Sequence, residues 1–158
     1  VHALQQTVET QRLQALLLAI RKDEHGIRAK ERYFSPRDRN FRWDYAHQPP
    51  ELWELFRSQQ AADHHVRVHP LLAWTELDVW RYIQREKIPV VGLYFAQAGK
   101  RYRSIGCACC CQPVPSTADS VQSIIRELRT TTVAERSGRA QDKENAYTMQ
   151  KLRSLGYM

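Results

Sequence analysis

No run of about 18 apolar residues occurs in the sequence, so no helix able to cross a bilayer is expected. The opening residues form a Gln-rich, helix-like stretch, not a charged region followed by an apolar block, and no targeting segment is read there. There is no low-complexity tract and no internal repeat, which excludes solenoid architecture and extended disorder. Glycine is sparse, with six residues. Cysteine is absent except at one place, the pentapeptide Cys107-Ala108-Cys109-Cys110-Cys111. A secreted disulfide framework, with its dispersed and even spacing, is thereby excluded, and a soluble protein of a reducing cytoplasm is expected. Structural metal sites usually draw paired ligands from separated segments, since neighbouring side chains do not all converge on one ion. The cluster is therefore expected to be an ordinary loop of small buried thiols, and no metal ligand is assigned.

What the sequence does contain is globular in balance. Apolar residues make up 42% and charged residues 26% of 158 positions, a composition that folds. The length suits a single domain spanning 1–158. Lys and Arg number 24 against 17 Asp and Glu, a surplus of +7. That favours an anionic partner such as a nucleotide, sulfate or nucleic acid, without choosing among them.

Periodicity predicts mostly helices with a few short strands. A helix is expected from Ala3 to Ile20, its apolar end from Ala15 to Ile20 continuing into a buried strand or helix end. Pro49-Pro50 followed by Glu51, Leu52, Trp53, Leu55 and Phe56 predicts a short amphipathic helix, with proline in the first turn and Glu at the positive end. Alternation over His65-Val66-Arg67-Val68-His69 predicts a strand stopped by Pro70, with His65, Arg67 and His69 on one face. Thr75 and Asp78 form a capping box for a helix with a stripe of Leu77, Val79, Trp80 and Ile83. Ile88 to Val91 is expected as a buried strand, Val121, Ile124, Ile125 and Leu128 as a helix face, and Ala146, Met149, Leu152 and Leu155 as a last helix. Ser58–Asp63, Gln97–Arg101 and Cys111–Ala118 are expected as flexible connections. Trp53 and Trp80 are core candidates, whereas Trp43 stands amid charge. A metal site on His65 and His69 is disfavoured by the cationic Arg67 between them.

The densest chemistry lies between Arg21 and Arg39. Arg21-Lys22-Asp23-Glu24 is followed by Arg28, Lys30, Glu31, Arg32, then Ser35-Pro36-Arg37-Asp38-Arg39. Arginine meets phosphate or sulfate oxygens through planar, bidentate contacts, and lysine adds a mobile point charge. Interleaved carboxylates can hold Mg2+ or lock the arginines in place. Such a cluster suits phosphoryl-type transfer, where catalysis is chiefly positioning and neutralisation of developing negative charge. The same composition also describes a solvated face laced with ion pairs.

These segments resemble the small, ATP-binding subunit family of bacterial sulfate adenylyltransferase (ATP sulfurylase), within the phosphoadenylylsulfate reductase and PP-loop ATP pyrophosphatase superfamily. The likeness runs in order through Ala19 to Glu24, Arg28 to Arg32, Ser35 to Asp38, Phe41-Arg42-Trp43-Asp44, Pro50-Glu51-Leu52-Trp53, Arg67 to Leu71 and Trp74 to Trp80. It continues through Pro89, Leu93-Tyr94-Phe95, Tyr102 to Cys107, Thr131-Thr132, Glu135-Arg136, Gly138-Arg139, Asp142 and Leu155-Gly156-Tyr157. The resemblance implies an α/β fold of the adenine nucleotide α-hydrolase type, a parallel sheet flanked by helices, of which this chain is expected to hold mainly the helical C-terminal part. It also implies adenylyl transfer from ATP to sulfate with Mg2+, in partnership with a GTPase large subunit. Arg21, Lys22, Asp23 and Arg37 are the catalytic candidates under that resemblance, and Glu24, Arg28, Arg32 and Arg39 the nucleotide-binding ones.

The chain departs from the family pattern twice. The family's Ser-Gly-Gly-x-Asp-Ser loop is missing, so these 158 residues are not expected to turn over alone. Three further cysteines follow Cys107, and they match neither the Glu-Cys-Gly-Leu-His pattern of the related reductases nor the cluster-binding spacing found in some of them. Two other readings are open: an adenylating sulfur-transfer enzyme acting on nucleic acid, for which +7 and the cysteines speak, and a non-catalytic partner-binding module, for which the missing loop speaks.

Overall fold

A computed structural model describes residues 2–26, 28–57 and 65–139. The described residues group into two compact units, one from residues 2–22, 26, 28–57 and 65–73, the other from 23–25 with 74–139.

In the first unit, helix α1 (His2–Gln11) is followed by strand β1 (Ala15–Leu17). The single helix expected over residues 3–20 is thus divided. Arg12 adopts φ 51°, a left-handed conformation that turns the chain out of the helix, and Leu13 closes the turn by donating to the Val8 carbonyl at 2.9 Å. Strand β2 (Phe34–Arg37) and strand β3 (His65–Val68) complete a three-stranded sheet in the order β1-β3-β2. β1 runs parallel to β3, and β2 runs antiparallel to it with Ser35 opposite Arg67 and Arg37 opposite His65. The sheet among the described residues is therefore mixed, where a parallel one was expected. Pro70 follows where the pairing ends, and His69 still extends the β2–β3 register by donating its backbone N–H to the Tyr33 carbonyl at 2.9 Å.

The amphipathic helix expected after Pro50 does not form. Trp53 and Glu54 have φ 51° and 60°, incompatible with a right-handed helix, and Trp53 is 86% exposed instead of in a core. The segment attaches to the edge strand in another way. The Glu51 carboxylate accepts the backbone N–H groups of Tyr33 and Phe34 at 2.7 and 2.8 Å, and the Phe56 ring meets those of Tyr33 and Phe34 at 5.4 and 5.5 Å. A carboxylate thus stands where a further strand would supply carbonyls.

The second unit is built on helix α2 (Glu76–Glu86) and helix α3 (Val121–Leu128). Trp80, Ala118, Ile124 and Ile125 form its core, with Leu77, Ile83, Val90, Tyr94, Phe95, Val121 and Leu128 packed around them. The helix starts are as the sequence predicts for α2: Thr75 Oγ1 accepts from the Asp78 N–H and the Asp78 carboxylate accepts from Thr75 N, a complete capping box. Lys87, left-handed at φ 52°, ends the helix. A second box at Ser120 and Ser123 starts α3; with Ser at the third position it carries none of the usual acidic signature. Ile88 and Val91 are 40% and 55% exposed and lie in no strand, which corrects the buried strand expected at residues 88–91. Instead, two-residue strands β4 (Lys100–Arg101) and β5 (Val114–Pro115) pair antiparallel. The connection at residues 97–101 is a tight turn closed by Gln97 and Lys100, each donating its N–H to the other's carbonyl, at 2.8 and 3.1 Å. The last helix expected from Ala146 and the connection at Ser58–Asp63 lie outside the described residues.

Candidate functional site

In the first unit, polar groups occupy much of the interior. Arg21, Glu31, Ser35, Arg37, His65, Arg67 and His69 are all buried, beside the apolar Phe41, Trp43, Val66 and Leu72. The sheet register explains the gathering. β2 and β3 place Arg37 opposite His65 and Ser35 opposite Arg67, so the polar positions of both strands meet. Glu31, in the turn that leads into β2, holds this cluster together. Its Oε1 lies 3.3 Å from Arg37 Nη2 with both side chains wholly buried, and its Oε2 accepts the Ser35 hydroxyl at 2.7 Å. Arg37 Nη1 donates to Ser35 Oγ at 2.7 Å and to the Pro36 carbonyl at 3.0 Å. The guanidinium carbon also sits 5.1 Å over the Trp43 ring, a cation–π contact that accounts for a tryptophan amid charge. Phe41 stacks obliquely on His65 at 4.5 Å, and the His69 ring Nδ1 is 2.8 Å from the Arg32 carbonyl.

Burial lowers the proton affinity of Arg67, and the nearby Glu31 carboxylate opposes that shift. Guanidinium stays charged in proteins, so the interior of this unit holds the arginine cations Arg37 and Arg67 beside the Glu31 carboxylate. Charges fixed in this way by burial and hydrogen bonds hold their shape.

The predicted site residues separate by environment. Arg21 and Arg37 are buried, Lys22 and Arg39 are exposed, and Arg28 and Arg32 are half-buried. Lys22 is fixed through its backbone, whose N–H donates to the Leu72 carbonyl at 3.0 Å, which leaves the ammonium at the surface. Arg28 lies in a single 3-10 turn, Arg28–Lys30. Asp23 and Glu24 belong to the second unit. Asp23 Oδ2 accepts the backbone N–H of Glu76 at 2.6 Å, at the start of α2, where a carboxylate complements the helix end; Glu24 is buried. Arg37, expected to meet substrate, is thus engaged in holding β2 and the Glu31 turn. Ser35 stood in the predicted basic segment, whereas Arg67 is the cluster member that sequence reasoning placed elsewhere. The alternation over residues 65–69 was its signal, because it put Arg67 on one face with two histidines.

The second unit carries two more arginine–carboxylate pairs. Arg101 reaches Glu127 through Nη2 at 2.6 Å and Nε at 3.2 Å, and Ser116 also donates to Glu127. Arg103 pairs with Glu76 at 2.5 Å and donates to the Val133 carbonyl at 2.8 Å. Burial raises the Glu127 proton affinity, but hydrogen bonds from Arg101 and Ser116 and the charges of Arg101 and Arg103 outweigh it, leaving the carboxyl below its ordinary range.

The cysteines are not the buried loop expected. Cys107 and Cys109 are exposed, Cys110 is half-buried, and only Cys111 is inside. Cys107 and Cys110 are joined as a disulfide.

Similarity to known proteins falls on the same segments. The phosphoadenosine phosphosulfate reductase domain model matches residues 1–113, covering both the arginine cluster and the start of the second unit. The chain belongs to the phosphoadenosine phosphosulfate reductase domain family. It is 39% identical to sulfate adenylyltransferase subunit 2 of a Bradyrhizobium species, over 98% of this chain and 57% of that protein. It is 36% identical to the protein of the same name from Rhizobium tropici, over 98% of this chain and 58% of that protein, and 37% identical to the one from Geobacter metallireducens, over 98% and 61%. The chain thus spans about three-fifths of the length of these relatives. An α/β fold agrees with the family and with the mixed sheets and three helices observed. No helix among the described residues is long and apolar enough to cross a membrane.

Proposed function

We propose that this chain serves sulfate adenylyl transfer: the attack of a sulfate oxygen on the α-phosphorus of ATP, forming adenylyl sulfate and releasing pyrophosphate. The observation that carries this reading is the buried Glu31–Ser35–Arg37 network in a segment that also bears the exposed Lys22 and Arg39. It lies in a chain whose curated relatives are named sulfate adenylyltransferase subunit 2. All reactants and products are anions, so the protein's contribution is orientation and charge neutralisation, for which fixed guanidinium groups are suited.

Within this reading the roles separate. Arg21 and Arg37, with Arg67, set the shape and potential of the site from inside. Lys22, Arg28, Arg32 and Arg39 are the groups offered to phosphate and sulfate oxygens. Asp23 is read as a catalytic residue and Glu24 as a nucleotide-binding one, with Mg2+ as the ion that accompanies the nucleotide. The ion would shield the phosphates' charge. The fold is read as the adenine nucleotide α-hydrolase type, with a parallel sheet as its centre. The partner is a large subunit with GTPase activity, as the designation of the relatives as subunit 2 suggests a companion chain, and the location is the cytoplasm.

The test is sulfate-dependent exchange of labelled pyrophosphate into ATP by the full-length protein with its companion subunit. Exchange that requires sulfate, and that falls in Arg39→Ala with the fold intact, is the expected result. Loss of one charge-assisted contact should cost about 1.5–3 kcal/mol of binding. Absence of exchange with every component supplied would overturn the reading.

A further inference from the structure

Cys107, Cys109 and Cys110 place their sulfurs within 4.8 Å of one another, the one such gathering of metal-ligating side chains among the described residues. Residues so close in sequence were not expected to converge. The backbone explains why they do. Cys110 and Cys111 both donate their N–H groups to the Cys107 carbonyl, at 3.0 and 3.2 Å, so the segment is a single tight turn. Cys107 and Cys110 then fall on one side of it, and Cys109 Sγ lies 3.6 Å from Cys107 Sγ and 3.5 Å from Cys110 Sγ. Cys111 is buried and its backbone bridges to that of Arg139, which anchors the turn and keeps the fourth thiol out of the group. The Arg139 guanidinium packs over Gly106, immediately before Cys107, held by Ser104 Oγ at 3.1 Å and the Ile105 carbonyl at 2.7 Å.

We propose that the reduced turn is a three-thiolate site for a soft, thiophilic metal ion, Zn2+ or Cu+. This inference does not rest on the adenylyl-transfer reading. Three thiolates around one ion at a metal–sulfur distance of about 2.3 Å stand up to about 4 Å apart, close to the Cys109 separations already present. Thiolate donors select Cu+ and Zn2+ over harder ions. Three thiolates carry more negative charge than either ion neutralises, and the fixed Arg139 cation packed over Gly106 beside the turn offsets part of the excess. The Cys107–Cys110 disulfide is the closed form of the site. A dithiol reductant opens it, passing two electrons and two protons to the pair of sulfurs and becoming a disulfide itself. Binding of the ion then displaces the thiol protons to solvent.

The test uses full-length protein reduced with a phosphine and desalted without oxygen. It is titrated with Zn2+ in one series and, in another, with Cu+ against a chromophoric chelator. Stoichiometric binding in either series, weakened by at least about 10–100-fold in Cys109→Ser and unchanged in Cys111→Ser, is the expected result; the series that saturates identifies the ion. Cys109 is exposed, so its replacement spares the core, and circular dichroism checks that. No binding in either series, or equal affinity in wild type and Cys109→Ser, would overturn the proposal.

Discussion

Arg37 and Glu31 form an ion pair, 3.3 Å apart, whose two side chains are completely buried. The pair sits between the turn that begins at Arg28 and the edge strand β2, and Ser35 bonds to both partners. Removing one member leaves the other as an uncompensated charge in a low-dielectric interior, which costs about 3–5 kcal/mol. Glu31→Gln and Arg37→Ala are each expected to lower the unfolding free energy of the full-length protein by an amount in that range, read as a lower urea midpoint at unchanged slope. A stability change below about 1 kcal/mol in both variants would show that the pair holds nothing together.

Arg39, two residues further on, supplies the contrast. It is exposed, so Arg39→Ala should alter stability by no more than about 0.5 kcal/mol while weakening anion-dependent steps. Comparing urea unfolding with sulfate dependence in the same variant separates the two effects. If Arg39→Ala is as destabilising as Arg37→Ala, the division between interior and surface arginines fails.

The pairing of Arg101 with Glu127 predicts a pH dependence. The Glu127 carboxyl is held below its ordinary range in the folded state, so the folded state binds fewer protons there than the unfolded one. Its stabilising contribution is fully present above the unfolded-state value and is lost as pH falls through the folded one. Glu127→Gln should therefore cost about 1.5–3 kcal/mol at pH 7, with the difference from wild type shrinking below about pH 4. Parallel unfolding curves at both pH values, with no narrowing, would contradict this.

How much of this was legible in the sequence depended on whether the signal was local. The α2 capping box, the α3 stripe and the β3 alternation were readable because caps and periodicities act over a few residues, and Thr75, Ile124 and Val66 behave accordingly. The break of the first helix at Arg12, the left-handed pair at Trp53 and Glu54, and the exposure of Ile88 were not. Each is set by tertiary attachment overriding local preference, as when Glu51 leaves its expected place at a helix start to bind the β2 edge. In the candidate site, the basic composition of residues 21–39 was plain. Which arginines face inward was decided by the β2–β3 register, and that depends on a strand some thirty residues away.

The turn before β4 offers a way to strengthen the second unit. Ala98 and Gly99 both have positive φ, 49° and 76°, between a Gln97 and Lys100 that exchange backbone hydrogen bonds. That geometry matches a two-residue hairpin turn, whose first position favours Asn or Gly and penalises alanine. Ala98→Asn should raise stability by about 0.5–1 kcal/mol, read as a higher thermal midpoint. A lowered midpoint would mean that the turn is held by something other than its own conformation.

Gly106 lies where a side chain would collide with a cation. A Cβ built there falls 2.4 Å from Arg139 Nη1 and 3.0 Å from its Cζ, so Gly106→Ala forces the guanidinium aside. An arginine tip can ordinarily swing away at little cost, but this one is fastened to Ser104 Oγ and the Ile105 carbonyl. Displacement gives up both bonds, at about 0.5–1.5 kcal/mol each, so a total loss of about 1–3 kcal/mol is expected on chemical unfolding. Arg139→Ala removes the same bonds without the collision, and the double variant should then lose little more than Arg139→Ala alone, because once the arginine is gone the methyl group has nothing to strike. Additive losses in the double variant would mean that the glycine is required for its own backbone and not for the cation packed over it.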